Sequence, residues 1–198
     1  MNDNLFRIIA AIIFVIGAGI SIYHRRKADR ESGEKVSLKD EGLAITISLR
    51  LIGLLMWGGI LAFLINPAWM YWSKYDIPNW LRWVGVLLGV IADGLAYWIF
   101  SSLGNNVSPT VATRTNHTLV NKGPYRWVRH PLYAMGMIAI PGYALLAENW
   151  FILLMSLLGF IVLLIRIPKE ENKLVEKFGE SYIEYRKSTG MFLPKIFG

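Results

Sequence analysis

Two stretches of this chain concentrate side chains able to bind and orient a polar reactant. The first runs His117-Thr118-Leu119-Val120-Asn-Lys-Gly-Pro-Tyr125-Arg-Trp-Val-Arg129-His130-Pro131-Leu132-Tyr133 and carries two histidines, two tyrosines and several cations. The second is Arg166 with Glu170 and Glu171. Arginine forks hold carboxylates in bidentate fashion, glutamates accept hydrogen bonds from hydroxyls, and aromatic faces attract cations. The chain has no cysteine, which removes thiol nucleophiles, Cys-ligated zinc, iron–sulfur clusters and disulfides from its own chemistry, and its remaining ligand-type residues form no convincing metal cluster. Each of these residues also has a plainer reading. Arg126 and Arg129 would serve as topology-setting charges, Tyr125 and Tyr133 as interface aromatics, and Arg166 as a snorkelling cation. His130 would cap a helix that Pro131 starts well, and Glu170 and Glu171 would suit a helix N-terminus. Spacing alone leaves both readings open.

The elements that must position these groups are apolar helices. Hydrophobic residues make up 54% of the 198 residues and charged ones 18%, and the apolar residues come in long blocks. A bilayer core of about 30 Å needs roughly 20 apolar residues per helix. The sequence therefore predicts an all-α integral membrane bundle of about five transmembrane helices. The blocks are 5–23, 43–66 with Arg50 inside, 80–103 with Asp93 near its middle, 132–147 with Pro141, and 151–167. Glu148, Asn149 and Trp150 make a tight turn, so 132–167 is expected as a helical hairpin. Asp93 is a functional-site candidate, because a carboxylate at membrane depth is costly, and equally a candidate for a protonated structural residue.

Lysines and arginines sort by loop: six in 24–42, one in 67–79, four in 104–131 and seven from Arg166 onward. Positive loops face the cytoplasm, so the N-terminus is expected outside, with the C-terminus and both polar stretches inside. The positive charge after the first block marks an uncleaved anchor rather than a secretory signal. A formal charge of +7 then reads as topology and affinity for anionic headgroups, not as nucleic-acid binding. The segment 24–42 is expected as a loop, with at most a short surface helix. Pro168 suits a first helical turn, and Ile167, Leu174, Val175, Phe178, Tyr182 and Tyr185 recur at helical spacing, which predicts an amphipathic cytoplasmic helix over 168–186. Folding the hairpin brings Arg129–Tyr133 and Arg166–Glu171 to the same membrane face.

On these residues the chain resembles a known family. The string Gly123-Pro-Tyr125-x-x-x-Arg129-His130-Pro131-x-Tyr133 resembles the signature of the isoprenylcysteine carboxyl methyltransferase and phospholipid methyltransferase superfamily. So do Ile167-x-x-Glu170-Glu171, Phe178-Gly179-x-x-Tyr182-x-x-Tyr185 and Pro194. The likeness covers about 102–194. It departs at Met135, where the family commonly has glycine two residues after the motif tyrosine; here glycine follows at Gly136.

The resemblance implies one membrane domain over 1–198, with transmembrane helices in 1–101 and a cofactor-binding catalytic region in 102–198. It implies a methyltransferase using S-adenosylmethionine, with S-adenosylhomocysteine as product, bound in a cytoplasmic pocket rather than on a Rossmann fold, whose glycine-rich fingerprint is missing here. Carried over by position, cofactor contacts would be His117, Thr118, Leu119, Val120, Tyr125, His130, Pro131, Leu132, Tyr133, Glu170 and Glu171. Arg166, with Arg129, would place the acceptor's carboxylate as the catalytic cations. The implied acceptor is lipophilic, such as a prenylcysteine or isoprenoid acid, and enters from the bilayer. A phospholipid amine or a thiol is the alternative acceptor. An NADPH-dependent isoprenoid or sterol reductase and a non-catalytic membrane protein are the alternatives of another class. Nothing in the sequence sets an oligomeric state.

Overall fold

A computed structural model of the chain describes residues 3–32, 43–107 and 118–195. The described residues form six α-helices: α1 (Asp3–Ser32), α2 (Leu43–Ile65), α3 (Asn79–Leu103), α4 (Pro131–Ala147), α5 (Trp150–Phe178) and α6 (Glu180–Ser188). Four of them, α1, α2, α3 and α5, are long and apolar enough to cross a bilayer. The hairpin partner α4, with 17 residues, is about 26 Å long by helix rise, somewhat short of a core of about 30 Å. Val15, Leu54 and Ile65 point outward, as expected of side chains that face lipid rather than water. The chain is an integral, multi-pass membrane protein.

Two boundaries differ from the sequence expectation. The first helix does not stop at Tyr23 but runs on to Ser32. The polar residues after Tyr23 extend it because they are held there: Arg25 Nε donates to Ser21 Oγ at 3.2 Å, Lys27 lies 3.9 Å from Glu31 one turn on, and Ala28 is buried against α3. At the other end Pro168 does not start a helix. It lies inside α5, which ends at Phe178, and α6 follows separately. Proline removes one donor and one helical hydrogen bond, but Ile167 and Glu171 on either side of it are buried and keep the helix in register. The break falls at Gly179, whose φ of 57° suits a residue without Cβ.

The bundle closes where backbones approach. A Cβ on Gly85 of α3 would lie 2.7 Å from the Gly142 carbonyl of α4, and one on Gly142 would lie 3.2 Å from the Gly85 carbonyl. Small residues let membrane helices touch, since no hydrophobic effect drives them together in lipid.

An ionic clamp holds the end of the bundle away from the two polar stretches. Arg82 at the start of α3 is 2% exposed and donates to Asp3 Oδ1 at 2.6 Å and to the Leu146 carbonyl at 3.1 Å, with its guanidinium 4.0 Å from the Phe6 ring. Glu148 joins from the α4–α5 turn, 3.5 Å from Arg82 and 3.4 Å from Lys74. These partners hold Glu148 at a φ of 49°, a left-handed conformation that costs energy for a residue with a side chain. Asn149 then caps α5, accepting from the Ile152 N–H at 3.1 Å, while its amide donates to Ser73 Oγ at 2.7 Å.

Candidate functional site

The two polar stretches meet as the hairpin topology requires, and they meet pair by pair. Arg129 Nε donates to Glu171 Oε1 at 2.8 Å, and His130 Nε2 lies 3.3 Å from the same oxygen. Tyr133 Oη donates to Glu170 Oε2 at 2.7 Å, and its ring stacks on His130 at 5.3 Å between centroids. Because an ionised carboxylate only accepts, His130 Nε2 is the protonated nitrogen of that contact, which leaves Nδ1 as an acceptor in the neutral ring.

The segment after α6 straps this junction. The Arg129 and His130 N–H groups donate to the Gly190 and Met191 carbonyls at 2.9 and 3.1 Å, and the Gly190 N–H donates to the Trp127 carbonyl at 3.0 Å. Gly190 is required here, since any Cβ would collide with the Leu193 carbonyl. Tyr185 Oη donates to the Tyr125 carbonyl at 2.7 Å, tying α6 to the short 3-10 turn at Gly123–Arg126. Burial pushes the Tyr185 phenol up to about 12, against the opposing pull of the Arg129 charge and the Thr189 hydrogen bond. Burial likewise raises Tyr125 and Tyr182. All three are neutral phenols near neutral pH.

Beside this junction lies a cavity of about 640 Å³. Its polar end is walled by Thr118, Leu119, Val120, Tyr125, Arg129, His130, Pro131, Leu132, Tyr133, Arg166 and Glu170. Asn106 holds the segment at Thr118 in place: its amide donates to the Thr118 carbonyl at 3.2 Å and its oxygen accepts the Thr118 N–H at 3.2 Å. His117 lies outside the described residues. Glu171 is not on the wall; it sits behind it, 8% exposed, as the shared partner of Arg129 and His130. Arg129 lines the cavity with a largely committed fork, because Nη1 also donates to the Arg186 and Thr189 carbonyls at 3.1 and 2.5 Å.

Sequence reasoning missed half of the cavity. Its other end is an apolar arm between helices, lined by Phe14, Trp57, Ala92, Ala96 and Ala139, with Asp93 and Tyr143 in its wall. Arg25 of α1 and Asn106 also line the cavity. The spacing Gly17, Ser21, Arg25, each four apart on one helix face, is the signal that could have found the α1 wall. The stripe Leu174, Phe178, Tyr182, Tyr185 faces this cavity too. Met135, at the place of the family glycine, sends its side chain to the cavity wall and packs against the cluster of Ala28, Ala96, Phe100 and Val107.

Fold and site together define a multi-pass membrane protein in which one cavity joins a polar, charge-lined end to an apolar arm. Residues 80–181, just over half of the chain, match the family described as phospholipid methyltransferase. The chain belongs to that family. Protein-S-isoprenylcysteine O-methyltransferase of Xenopus laevis is 32% identical over 157 residues, 69% of this chain and 54% of that protein. The protein of the same name from Schizosaccharomyces pombe is 40% identical over 96 residues, 47% of this chain and 41% of that protein. The chain thus spans about half the length of these relatives. A solved structure of the eukaryotic intramembrane Ras methyltransferase, isoprenylcysteine carboxyl methyltransferase, shares the fold with a TM-score of 0.56 at 20% identity, covering 95% of this chain and 68% of that one.

Proposed function

We propose that this chain is a membrane methyltransferase that takes its methyl group from S-adenosylmethionine and esterifies the carboxylate of a lipophilic acceptor, such as a prenylcysteine or isoprenoid acid. The observation that carries this reading is the cavity itself: one continuous space with a polar end fit for a zwitterionic nucleoside and an apolar arm fit for a hydrocarbon chain.

The residues present suit the cofactor. Glu170 keeps one oxygen on Tyr133 and offers the other to ribose hydroxyls. The Tyr182 hydroxyl is buried on the cavity wall with no hydrogen-bond partner among the described residues, an orphan that a bound polar ligand would satisfy. Thr118 to Val120, His130 to Tyr133 and the Tyr125 face complete the binding wall. When bound, the cofactor supplies an activated methyl on a sulfonium. The protein positions and excludes water. A carboxylate acceptor is ionised at neutral pH and needs no general base. It needs a cation to place it, which is the role of Arg166. Arg129 and Glu171 act one step back, as the buried pair that fixes the His130–Tyr133 segment.

In this reading the residues 102–198 bind the cofactor, the helices within 1–101 supply the acceptor's arm, and the charge alternation of the loops puts the polar end on the cytoplasmic side. The acceptor enters sideways from the bilayer. Calorimetric titration of the detergent-purified protein with S-adenosylhomocysteine, against NADPH, tests the cofactor. Saturable binding of the first alone is expected, and binding of NADPH alone would move the chain to reductase chemistry. Transfer of labelled methyl to N-acetyl-S-farnesylcysteine, but not to phosphatidylethanolamine or an alkyl thiol, tests the acceptor.

A further inference from the structure

The acceptor arm ends at a further arginine, Arg25 of α1. Phe14, Gly17, Ala18, Ser21 and Arg25 form one stripe of α1 along the cavity. By helix rise Arg25 stands about 16 Å from Phe14, one turn before Ala28, which packs with Val107 beside the Asn106–Thr118 contact of the polar end. Basic residues at a helix end ordinarily reach outward to headgroups. Arg26, the next residue, is exposed and takes no part in the cavity wall. Arg25 instead points inward, and packing on both sides fixes it. Ala28, one turn on, is 1% exposed in the cluster with Ala96, Phe100 and Val107. His24 stacks on Phe100 with an interplanar angle of 15°. The Arg25 Nε is committed to Ser21 Oγ, which aims the two terminal nitrogens of the fork.

Carboxyl methylation brings two carboxylates into one cavity, that of the donor and that of the acceptor. Arg129 is largely committed to Glu171 and two carbonyls. Two other arginines line the space, Arg166 from α5 and Arg25 from α1. We infer that Arg25 shares the acceptor with Arg166: from the α1 side it grips the carboxylate of an amphiphilic acid at the mouth of the arm while the apolar chain lies along the α1 stripe toward Phe14. The proposed donor contacts come from the C-terminal half, whereas Arg25 stands directly at the head of the apolar stripe, where the head of an amphiphile must lie. A guanidinium there favours acids and repels ammonium groups, so Arg25 also sets acceptor class. This inference rests on the carboxyl-methylation reading.

The test uses the full chain in detergent, N-acetyl-S-farnesylcysteine as acceptor, and three variants: Arg25→Gln, Arg25→Lys and Arg26→Gln. Arg25→Gln is expected to raise the acceptor KM about tenfold or more, as loss of a charge-assisted bidentate contact does. Its S-adenosylhomocysteine affinity should stay within about twofold of the unaltered chain, a criterion that also certifies folding. Arg25→Lys, which keeps the charge and the topology, should fall between. Arg26→Gln, which removes the same charge from the same turn, should behave as the unaltered chain. An unchanged acceptor KM in Arg25→Gln overturns the inference. So does a parallel loss of S-adenosylhomocysteine affinity, which would give Arg25 to the donor, or an equal loss in Arg26→Gln, which would make the effect one of bulk charge. If the unaltered chain binds S-adenosylhomocysteine but forms no methyl ester, the carboxyl-methylation reading itself has failed, and this inference with it.

Discussion

Glu170 and Glu171 are adjacent in sequence and opposite in duty. Glu170 stands on the cavity wall with Tyr133, and Glu171 is turned away from it into Arg129 and His130. Helical geometry forces that division, since neighbouring residues on a helix point about 100° apart. Changing each to glutamine should therefore give different failures. Glu170→Gln removes a charged acceptor facing the cavity. Its S-adenosylhomocysteine Kd should rise about tenfold, in line with about 1.5–3 kcal/mol for hydrogen bonds to charged groups, with the unfolding midpoint nearly unchanged. Glu171→Gln leaves Arg129 buried without its counter-charge, a loss of about 3–5 kcal/mol for a broken buried pair. Thermal unfolding in detergent should show a clearly lowered midpoint before any ligand is added. An unshifted midpoint would mean that the two carbonyls alone hold Arg129.

At the scale of elements, the site depends on two close approaches that tolerate no extra carbon. Gly85 lets α3 reach α4, so Gly85→Val should push the hairpin off the bundle and appear as loss of the monodisperse folded peak in size-exclusion chromatography. The second approach is the strap at Gly190, which fastens α6 and its neutral tyrosines over the motif. Tyr185 has its pKa raised to about 12, and Tyr125 and Tyr182 are also raised, by burial in each case. A phenol whose pKa is raised on folding stabilises the fold fully below its unfolded value of about 10, and that stabilisation is lost as pH rises further. Unfolding midpoints should accordingly show no tyrosine-dependent change between pH 6 and pH 9 and should drop once pH passes about 10 and climbs toward 12. A tyrosine-dependent drop near neutrality would contradict the burial of these rings.

For the whole molecule, the ionic clamp and the polar end of the cavity lie at opposite ends of the bundle, so the clamp can be broken without touching the site. Arg82→Leu should lower the unfolding midpoint, because the Leu146 carbonyl loses its donor and Glu148 keeps only Lys74 as counter-charge. S-adenosylhomocysteine affinity measured on the folded fraction should stay unchanged. A lost affinity would mean that the clamp sets the position of α5 and hence of Glu170. Much of this architecture was already legible in the chain. Helix number, the hairpin and the common face of Arg129–Tyr133 and Arg166–Glu171 follow from apolar block length and charge alternation, because a bilayer leaves a chain few other solutions. The motif residues were legible because their spacing is local. The helix ends were not: α1 continues past Tyr23 and α5 past Pro168 because tertiary burial of Ala28, Ile167 and Glu171 outweighs local signals of charge and proline. Nor did the sequence separate the wall residue Glu170 from the anchor Glu171, or reveal that Arg25, Asp93, Tyr143 and Trp57 share one cavity with Glu170. That depends on how helices distant in sequence are rotated against each other, and rotation is decided by glycine contacts and side-chain packing that exist only once the bundle has formed.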